Sequence, residues 1–314
     1  MQVFDAAATA RALPFARLIP ALRARFVAGC TVPPRHVHDI ADGDGGTMTS
    51  LLMPAWSDGA QDARYGVKII NIAPGNRARG LPGLHASYLL HDAATGVPLA
   101  LLDGNVLTAR RTAAASALAA SWLARTDAQH LLVVGAGRVA AMLPLAYREL
   151  RALRRVSLWA RRGAAAEALA AELRTQGLPA EAVHDLPSAL AAADIVSCAT
   201  LATAPVVHGA LLRPGSHLDL IGSFTPQMRE ADDDCFIGAS VFIDTEEALA
   251  KSGDLLGPIA SGALRAAQVR GTLASLCNGS SAGRRSAGER TVFKSVGTAL
   301  EDLAAAMLAV EPGR

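Results

Sequence analysis

A short apolar run followed by two glycines is the feature that most constrains this chain. Leu131 to Val134 have the pattern of a strand buried on both faces of a parallel sheet. The spacing Gly135-x-Gly137-x-x-Ala140 follows at once and leads into a helix-forming segment. Such glycines let the backbone approach a pyrophosphate, and the N–H groups at the helix start point at that anion. A plain strand–turn–helix junction is the alternative, but the alternating pattern downstream favours dinucleotide binding.

The end of the second predicted strand indicates which dinucleotide. An NAD site usually places an acid there, roughly 20 residues after the glycines, to hold the ribose 2′-hydroxyl. Here Arg155–Ala160 is followed by Arg161 and Arg162, and no acidic residue lies between positions 151 and 163. Two guanidinium groups suit a 2′-phosphate, although two solvated arginines would be the simpler interpretation. We therefore expect NADP(H) to be favoured over NAD(H).

Short apolar strands alternate with helices from about residue 113 to residue 241. This alternation predicts a doubly wound parallel sheet with right-handed crossovers. The predicted strands are Leu131–Val134, Val156–Trp159, Ala182–His184, Ile195–Ala199, His217–Ile221 and Ser240–Asp244. The predicted helices are Ala113–Ala124, Val139–Leu150, Ala164–Gln176 and Ser188–Ala193.

The first 110 residues have a different pattern, which indicates a smaller α+β domain. Ser87–His91 and Val97–Leu102 flank a turn that contains Gly96, and this spacing predicts a β-hairpin. Tyr65–Asn71 is a further predicted strand. At the other end of the chain, Thr298–Val310 is predicted to be a helix.

Composition and charge exclude several classes of protein. Hydrophobic residues make up 51% of the chain and charged residues 18%, so a sizeable core can form. The net charge of +2 is dispersed, and no basic run is interleaved with aromatic residues, so we expect no nucleic-acid partner. No apolar run approaches the ~20 residues that span a bilayer, and no signal peptide is apparent. We expect a cytoplasmic protein.

The cysteines and histidines do not form a metal-binding pattern. The four cysteines are far apart in the sequence, which is typical of isolated thiols in a reducing compartment. His36 and His38 could share one face of a strand, but no third ligand is in view. We expect no metal.

Several motifs together resemble the ornithine cyclodeaminase/mu-crystallin family. They span nearly the whole chain, and it is the set rather than any single motif that is specific. The matching segments are Pro34-Arg35, Met53-Pro54, Gly66-Val67-Lys68, Pro74-Gly75-Asn76, Thr95–Ala100, Leu102-Asp-Gly104, Arg111–Ala114, Gly135-Ala-Gly137 and Thr291–Gly297. The resemblance implies a Rossmann domain (113–290) inserted in a smaller α+β domain (1–112 plus 291–314) that binds substrate and forms a homodimer.

The resemblance also assigns roles to individual residues. Arg35, Lys68 and Arg111 match positions that hold a substrate carboxylate near the nicotinamide, and Lys68 would also polarise the reacting group. The alternatives are a snorkelling lysine and an arginine at a helix start, where a cation is disfavoured. The cofactor positions implied are Gly135, Gly137, Arg138, Val139, Thr200, Gly222 and Ser295, with Val296 lining the substrate.

One departure from the family pattern bears on the reaction. Cyclodeaminases carry an Asp, proposed as the acid/base group, where this chain has Phe224 in Gly222-Ser-Phe-Thr-Pro226. Phe cannot transfer a proton. The stretch instead resembles members that reduce cyclic ketimines, such as Δ1-pyrroline-2-carboxylate reductases. Asp219 is a candidate substitute, although it lies two strand positions before the turn.

The function expected from the resemblance is therefore NADPH-dependent reduction of Δ1-pyrroline-2-carboxylate or Δ1-piperideine-2-carboxylate to L-proline or L-pipecolate. Three alternatives remain open. They are ornithine cyclodeamination, which yields L-proline and ammonia; alanine dehydrogenase activity; and non-catalytic NADPH binding of the mu-crystallin type.

Overall fold

The computed structural model describes residues 1–41, 46–57, 59 and 63–311, apart from the side chain of residue 77. The strands are β1 (Gln2–Phe4), β2 (His36–Ala41), β3 (Thr47–Trp56), β4 (Arg64–Ile72), β5 (Leu84–Asp92), β6 (Pro98–Asp103), β7 (His130–Val134), β8 (Arg155–Trp159), β9 (Ala180–Ala182), β10 (Ile195–Cys198), β11 (His217–Leu220), β12 (Ser240–Ile243), β13 (Val269–Thr272) and β14 (Thr291–Lys294). The α-helices are α1 (Ala6–Ala12), α2 (Phe15–Ala28), α3 (Gly104–Leu123), α4 (Arg138–Tyr147), α5 (Gly163–Thr175), α6 (Leu186–Ala192), α7 (Glu247–Lys251), α8 (Gly253–Ser261), α9 (Leu273–Cys277) and α10 (Ala299–Val310).

The chain divides into two compact units. One comprises Met1–Thr112 with Thr298–Arg314, and the other comprises Ala113–Gly297. The first boundary lies within α3, so this helix begins in one unit and ends in the other.

The first unit is built on a six-stranded sheet in the order β1-β6-β5-β4-β3-β2. The strands from β2 to β6 pair antiparallel, and β1 runs parallel to β6. The predicted hairpin is present as β5 and β6. Helix α10 packs on β3, β4 and β5 and against α2, so it covers one face of the sheet. Because side chains alternate along each strand, every second residue of β4 and β5 points into this helix-covered core.

The second unit is a parallel eight-stranded sheet in the order β13-β12-β14-β11-β10-β7-β8-β9. The central strands β10 and β11 are buried throughout, and β7 is buried from Leu131 to Val134, as the apolar runs predicted. The strand order reverses beside β7, so the sheet is doubly wound and its crevice lies at the carboxyl ends of β7 and β10. The predicted fold class, a Rossmann sheet combined with a smaller α+β domain, is confirmed.

Two details of the predicted organisation are wrong. Ser240–Asp244 is not the last strand, because β13 and β14 also join this sheet. Residues 291–297, which we assigned to the substrate domain, lie in the second unit instead. The physical reason is that β14 pairs with β11 on one side and β12 on the other, which buries Val292 and Phe293 completely or nearly so. An apolar strand with both edges paired is held far more firmly in a sheet than in a linker.

None of the helices in the described part of the chain has the length and hydropathy needed to cross a bilayer.

Candidate active site

A buried cluster of opposite charges lies in the first unit. The Lys68 ammonium is 2.6 Å from Oδ2 of Asp302, and both side chains are fully buried. On α3, Arg111 donates from Nε to the other oxygen of Asp302 at 2.9 Å and from Nη1 to Glu301 at 2.5 Å. Asp302 therefore bridges the two cations that sequence analysis selected for the substrate carboxylate.

The sheet explains why Lys68 reaches this cluster. It lies on β4 between Met53 of β3 and Tyr88 of β5, all on the face that α10 covers. Its neighbour on that face, Gly66, has no room for a side chain, because a Cβ there would lie 2.1 Å from the Tyr88 hydroxyl. The Gly66-Val67-Lys68 motif thus combines a glycine that admits the Tyr88 ring with a lysine that points into the core.

The position of Arg111 corrects an interpretation of the sequence. We considered it an arginine at the start of a helix beginning near residue 113. In the structure α3 begins at Gly104, where the Asp103 carboxylate accepts the N–H of Val106 at 2.8 Å. Arg111 consequently lies inside the helix and is buried, and its charge is balanced by Glu301 and Asp302 rather than opposed by a helix end.

Burial and charge oppose each other in this cluster. Burial lowers the pKa of Lys68 to about 8, despite the nearby Asp302 carboxylate, which favours the ammonium. Burial acts to raise the pKa of Asp302, but Lys68 and Arg111 outweigh it and hold that pKa below its usual value. The Asp302 carboxylate and the Lys68 ammonium therefore both stay charged near neutral pH.

Arg35, the third residue predicted to bind the substrate carboxylate, is partly buried and lies directly before β2.

The glycine turn of the second unit has the geometry that a pyrophosphate requires. Gly135 has a φ of 128°, and a Cβ there would lie 2.5 Å from the carbonyl oxygen of Ala199. Gly137 is the N-cap of α4 and, having no side chain, leaves the first N–H groups of the helix without a side-chain cap. A Cβ at Gly137 would meet nothing within 4 Å, so open space adjoins the turn. Arg138 is exposed on the first turn, and Val139 beside it is partly buried.

The two arginines predicted to select the cofactor are accessible. Arg161 and Arg162 follow β8 after one intervening residue, Ala160, and are exposed; Arg162 is the N-cap of α5. Neither side chain forms a hydrogen bond or ion pair with another residue that the structure describes. Both guanidinium groups are thus available to an anion at the end of β8.

A buried carboxylate that we did not select joins the loops after β10 and β11. One oxygen of Glu230 accepts the N–H of Thr200 at 2.7 Å and its hydroxyl at 2.8 Å. The other oxygen accepts the N–H of Gly222 at 2.6 Å. A Cβ at Gly222 would lie 1.9 Å from the Thr200 carbonyl oxygen, so the two loops are in direct contact. Glu230 therefore fixes two residues predicted to bind the cofactor.

Further buried charges support the same edge of the sheet. Asp254 accepts the N–H groups of Glu230 and Ala231 at 2.7 and 3.1 Å, and its other oxygen is 3.2 Å from the Lys294 ammonium. Lys294 ends β14 directly before Ser295, which is buried.

The segment after Ser295 is anchored separately. Asp244 accepts the N–H of Val296 at 2.8 Å and that of Gly297 at 2.6 Å. Val296 is partly buried. Val296, predicted to line the substrate, is thus held through its backbone by a carboxylate.

Asp219 does not have the surroundings of an acid/base group. It is fully buried in β11, and its carboxylate accepts hydrogen bonds from the hydroxyls of Ser116, Tyr147 and Ser197. Burial raises its pKa to about 6, although these hydroxyls favour the charged form. Phe224, in the loop after β11, is 40% exposed and has no titratable group.

Five acidic residues that hold predicted site residues or their neighbours in place were not selected from the sequence, namely Glu230, Asp244, Asp254, Glu301 and Asp302. Glu301 and Asp302 had a signal, since acids in the first turn of a helix usually complement its dipole. That ordinary role at a helix start gives no indication of their pairing with Lys68 and Arg111. Glu230 had no such signal, because its partners are two backbone N–H groups and one hydroxyl, from Gly222 eight residues before it and Thr200 thirty residues before it.

The described residues contain no group of three or more His, Cys, Asp and Glu side chains arranged to hold a metal ion. The His36 and His38 rings stack with their centroids 6.4 Å apart. None of the four cysteines forms a disulfide with another described residue; Cys30 is partly buried and the other three are buried.

Known proteins resemble this chain over almost its full length. It is 45% identical over 279 residues to the Delta(1)-pyrroline-2-carboxylate reductase of Paracoccus denitrificans, covering 88% of this chain and 86% of that protein. The Thermococcus litoralis Delta(1)-pyrroline-2-carboxylate reductase, solved with NADH and L-proline, superposes with a TM-score of 0.91 at 30% identity, covering 98% and 96% of the two chains. An archaeal alanine dehydrogenase dimer with bound NAD superposes with a TM-score of 0.89 at 25% identity, covering 98% and 94%.

The doubly wound sheet, its glycine turn and these relatives define an oxidoreductase that uses a pyridine nucleotide. The model of the ornithine cyclodeaminase/mu-crystallin family matches residues 13–312. The chain belongs to that family, as its motifs predicted.

Proposed function

We propose that this protein reduces a cyclic ketimine, Δ1-pyrroline-2-carboxylate or Δ1-piperideine-2-carboxylate, to L-proline or L-pipecolate with NADPH. The observation that carries the proposal is the buried pair of cations, Lys68 and Arg111, that Asp302 brings together. An α-imino acid needs a fixed cationic anchor for its carboxylate, and two cations from different elements supply one. The relative from Paracoccus denitrificans, named as a reductase of such an imine, supports this choice.

The residues of each unit would have separate tasks. Lys68, Arg111 and Arg35 would bind the substrate carboxylate, and the Lys68 charge would also polarise the imine. Gly135 and Gly137 would leave room for the pyrophosphate, and the N–H groups at the start of α4 would bind it. When bound, the reduced nicotinamide supplies the hydride that C2 of the imine accepts. The C=N bond becomes a C–N single bond, and its nitrogen keeps a proton that a protonated imine brings from solution.

The preference for NADPH over NADH is part of the proposal. It is supported by Arg161 and Arg162, exposed at the end of β8 where an NAD site would carry an acid. The structural relatives with NADH or NAD establish a pyridine nucleotide for those proteins. The choice between the two nucleotides therefore depends here on these arginines.

Ornithine cyclodeamination is the competing reaction, and the surroundings of two residues count against it. That route needs proton transfer at several steps, and Phe224 has no proton to transfer. Asp219 is enclosed by three hydroxyl donors and fully buried, so it is poorly suited to replace the family acid.

A substrate panel tests the proposed function. Purified protein would be mixed with NADPH or NADH and with Δ1-pyrroline-2-carboxylate, Δ1-piperideine-2-carboxylate, or pyruvate plus ammonia, while oxidation of the nicotinamide is followed by absorbance. L-Ornithine with NAD⁺ would be assayed for ammonia. We expect turnover of a cyclic imine and little ammonia from ornithine. Robust formation of proline and ammonia from ornithine would overturn the reductase assignment, and tight calorimetric binding of NADPH without any turnover would favour the non-catalytic alternative.

We further propose a homodimer formed through the first unit. The sheet face opposite Lys68 carries an apolar row across four strands, formed by Pro54, Val67, Leu89 and Leu101, all only partly buried. Apolar faces of this kind are usually covered by another surface. The archaeal alanine dehydrogenase relative is a dimer.

Analytical ultracentrifugation at micromolar concentration tests the dimer. We expect a dimer for the natural sequence and a monomer for a variant with Val67→Asp and Leu89→Asp. Val27→Asp, at a residue of α2 that is 55% exposed, is the matched control and should leave the dimer intact. A monomeric natural protein would contradict the proposal.

A further inference from the structure

The anchor cations of the first unit are already paired inside the protein. Lys68 and Arg111 each contact Asp302, and Arg111 also contacts Glu301. All four side chains are at most 6% exposed. Two carboxylates of one helix turn thus stand beside the two cations proposed to receive a third carboxylate, that of the substrate.

We propose that Asp302 is a positioning residue of the substrate site, whose carboxylate fixes the Lys68 ammonium and the Arg111 guanidinium in place and keeps Lys68 charged. Its effect on catalysis rests on the proposed function. Its effect on the charge of Lys68 does not, and the two are measured separately below.

The groups that face Lys68 show why Asp302 has this influence. Burial and the Arg111 charge on α3 both favour a neutral amine. Asp302 at 2.6 Å and, more weakly, Glu301 oppose them from α10. The hydroxyl-bearing neighbour, Tyr88 on β5, is itself neutral because burial raises its pKa well above the usual value. Removal of Asp302 leaves burial and Arg111 dominant, and a neutral amine would not attract a carboxylate.

A purely structural role for the Asp302 carboxylate is the alternative explanation. The start of α10 does not require it, since the Thr298 side chain caps the helix by accepting the N–H of Leu300 at 3.4 Å. The Asp302 oxygens instead point at Lys68 of β4 and Arg111 of α3. The carboxylate is therefore directed at the anchor cations and not at the backbone of its own helix.

The small number of lysines makes the charge of Lys68 directly measurable. The chain contains only Lys68, Lys251 and Lys294. Protein labelled with ¹³C at the lysine ε carbon gives one NMR signal for each, which Lys68→Arg and Lys251→Arg variants assign. In Asp302→Asn we expect the titration of Lys68 to move to lower pH by about one unit or more, as is typical when a contacting opposite charge is lost. An unmoved Lys68 titration overturns the proposal.

Two further variants rank the nearby carboxylates by their effect on the Lys68 titration. Glu301→Gln should shift Lys68 in the same direction by less, because Glu301 contacts Arg111 and not Lys68. Glu311→Gln removes an exposed carboxylate just beyond α10 and should leave the titration unchanged. If Asp302→Asn does not fold, Glu301→Gln carries the test, and an absence of any shift in it contradicts the proposal.

Steady-state kinetics supply the second, separate readout. With an imine substrate, kcat/KM should fall as pH rises through the Lys68 pKa, and this limb should lie at lower pH in Asp302→Asn than in the natural protein. If the fall of kcat/KM at high pH stays at the same pH in Asp302→Asn while the Lys68 titration moves, the proposed role of Asp302 in the substrate site is overturned. A protein that turns over no imine yet shows the NMR shift would refute the proposed function and leave the charge effect of Asp302 standing.

Discussion

Glu230 accepts the backbone N–H of Gly222 at 2.6 Å, and both residues are buried in the connection that follows β11. Its second oxygen accepts two hydrogen bonds from Thr200. Gly222 has to be glycine because the Thr200 carbonyl oxygen occupies the place of a Cβ. One carboxylate therefore sets the spacing of the loops at the carboxyl ends of β10 and β11, where a doubly wound sheet binds its ligand.

Replacement of Glu230 by Gln should weaken cofactor binding. The Gln side chain keeps one acceptor oxygen but turns its NH₂ group toward a backbone N–H, so one of the two loops loses its partner. We expect a loss of roughly tenfold in NADPH affinity by calorimetry, since an unsatisfied buried group costs about 1–3 kcal/mol. Asp234→Asn, an exposed acid nearby in sequence, is the control. Unchanged affinity in Glu230→Gln would show that the loops hold their places without this carboxylate.

The nucleotide preference should reside in Arg161 and Arg162. We expect the natural protein to bind NADPH at least tenfold more tightly than NADH, because one charge-assisted contact contributes about 1.5–3 kcal/mol. The Arg161→Ala/Arg162→Ala double variant should lose most of this preference. Arg154→Ala, an exposed arginine before the other end of β8, should keep it. Equal affinities in the natural protein, or a preference that survives in the double variant, would contradict the assignment.

Local patterns predicted the Rossmann sheet well but not its last strands. The run Leu131–Val134 and its glycine turn appear where expected, because a strand buried on both faces has an unmistakable composition. Strand β13, with its partly exposed sequence Val-Arg-Gly-Thr, has no such pattern. The insertion of β14 between β11 and β12 depends on pairing across more than fifty residues, which no local pattern encodes.

In the predicted site too, residues with a sequence motif were found and a residue defined only by distant contacts was not. Lys68 and Arg111 were selected by resemblance, and the structure brings them together. Asp302, which holds both, lies 234 and 191 positions away in the sequence (302 minus 68, and 302 minus 111). Its carboxylate matched an ordinary acid at a helix start, so only the packing of α10 on the sheet reveals its partners.

Lys68→Ala should remove imine turnover and leave NADPH affinity unchanged. Loss of a charge from a buried, hydrogen-bonded cluster typically costs 2–5 kcal/mol in binding, which corresponds to about 30-fold or more. NADPH affinity should persist because the glycine turn belongs to the other unit. Lys251→Ala, which removes a partly exposed lysine paired with Glu247, is the matched control. Near-normal kcat/KM in Lys68→Ala would exclude Lys68 from the substrate site.

Asp219 should make stability depend on pH. Its pKa is raised from 3.8 to about 6 by burial, so the folded state holds this proton more tightly than the unfolded state. The free energy of unfolding therefore falls as pH rises from about 4 to about 6 and then levels off, by on the order of 3 kcal/mol from this group. The Asp219→Asn variant lacks this pH-dependent contribution to the free energy of unfolding. The free energies of unfolding of the two proteins would be measured with urea across this pH range. The difference between them should narrow or reverse as pH rises, and a constant difference would contradict the prediction.

The last prediction places an acid in the loop after β11. Phe224→Asp should raise ammonia release from L-ornithine, because the deamination route needs a proton-transfer group that the natural chain lacks there. The side chain is 40% exposed, so a carboxylate is tolerated at this position without burial of its charge. A positioned acid/base contributes about 10²–10⁴-fold in rate, so we expect a gain of about tenfold or more even with imperfect placement.

Phe224→Asn is the matched control, since it has the shape of Asp without the acid. Ornithine turnover should rise in the Asp variant only, while reduction of the cyclic imine continues in both, because that reaction needs hydride delivery and a single proton. If Asn and Asp raise ammonia release equally, loss of the aromatic ring is the cause and not the new acid. If neither does, the barrier to cyclodeamination in this protein lies elsewhere than at Phe224.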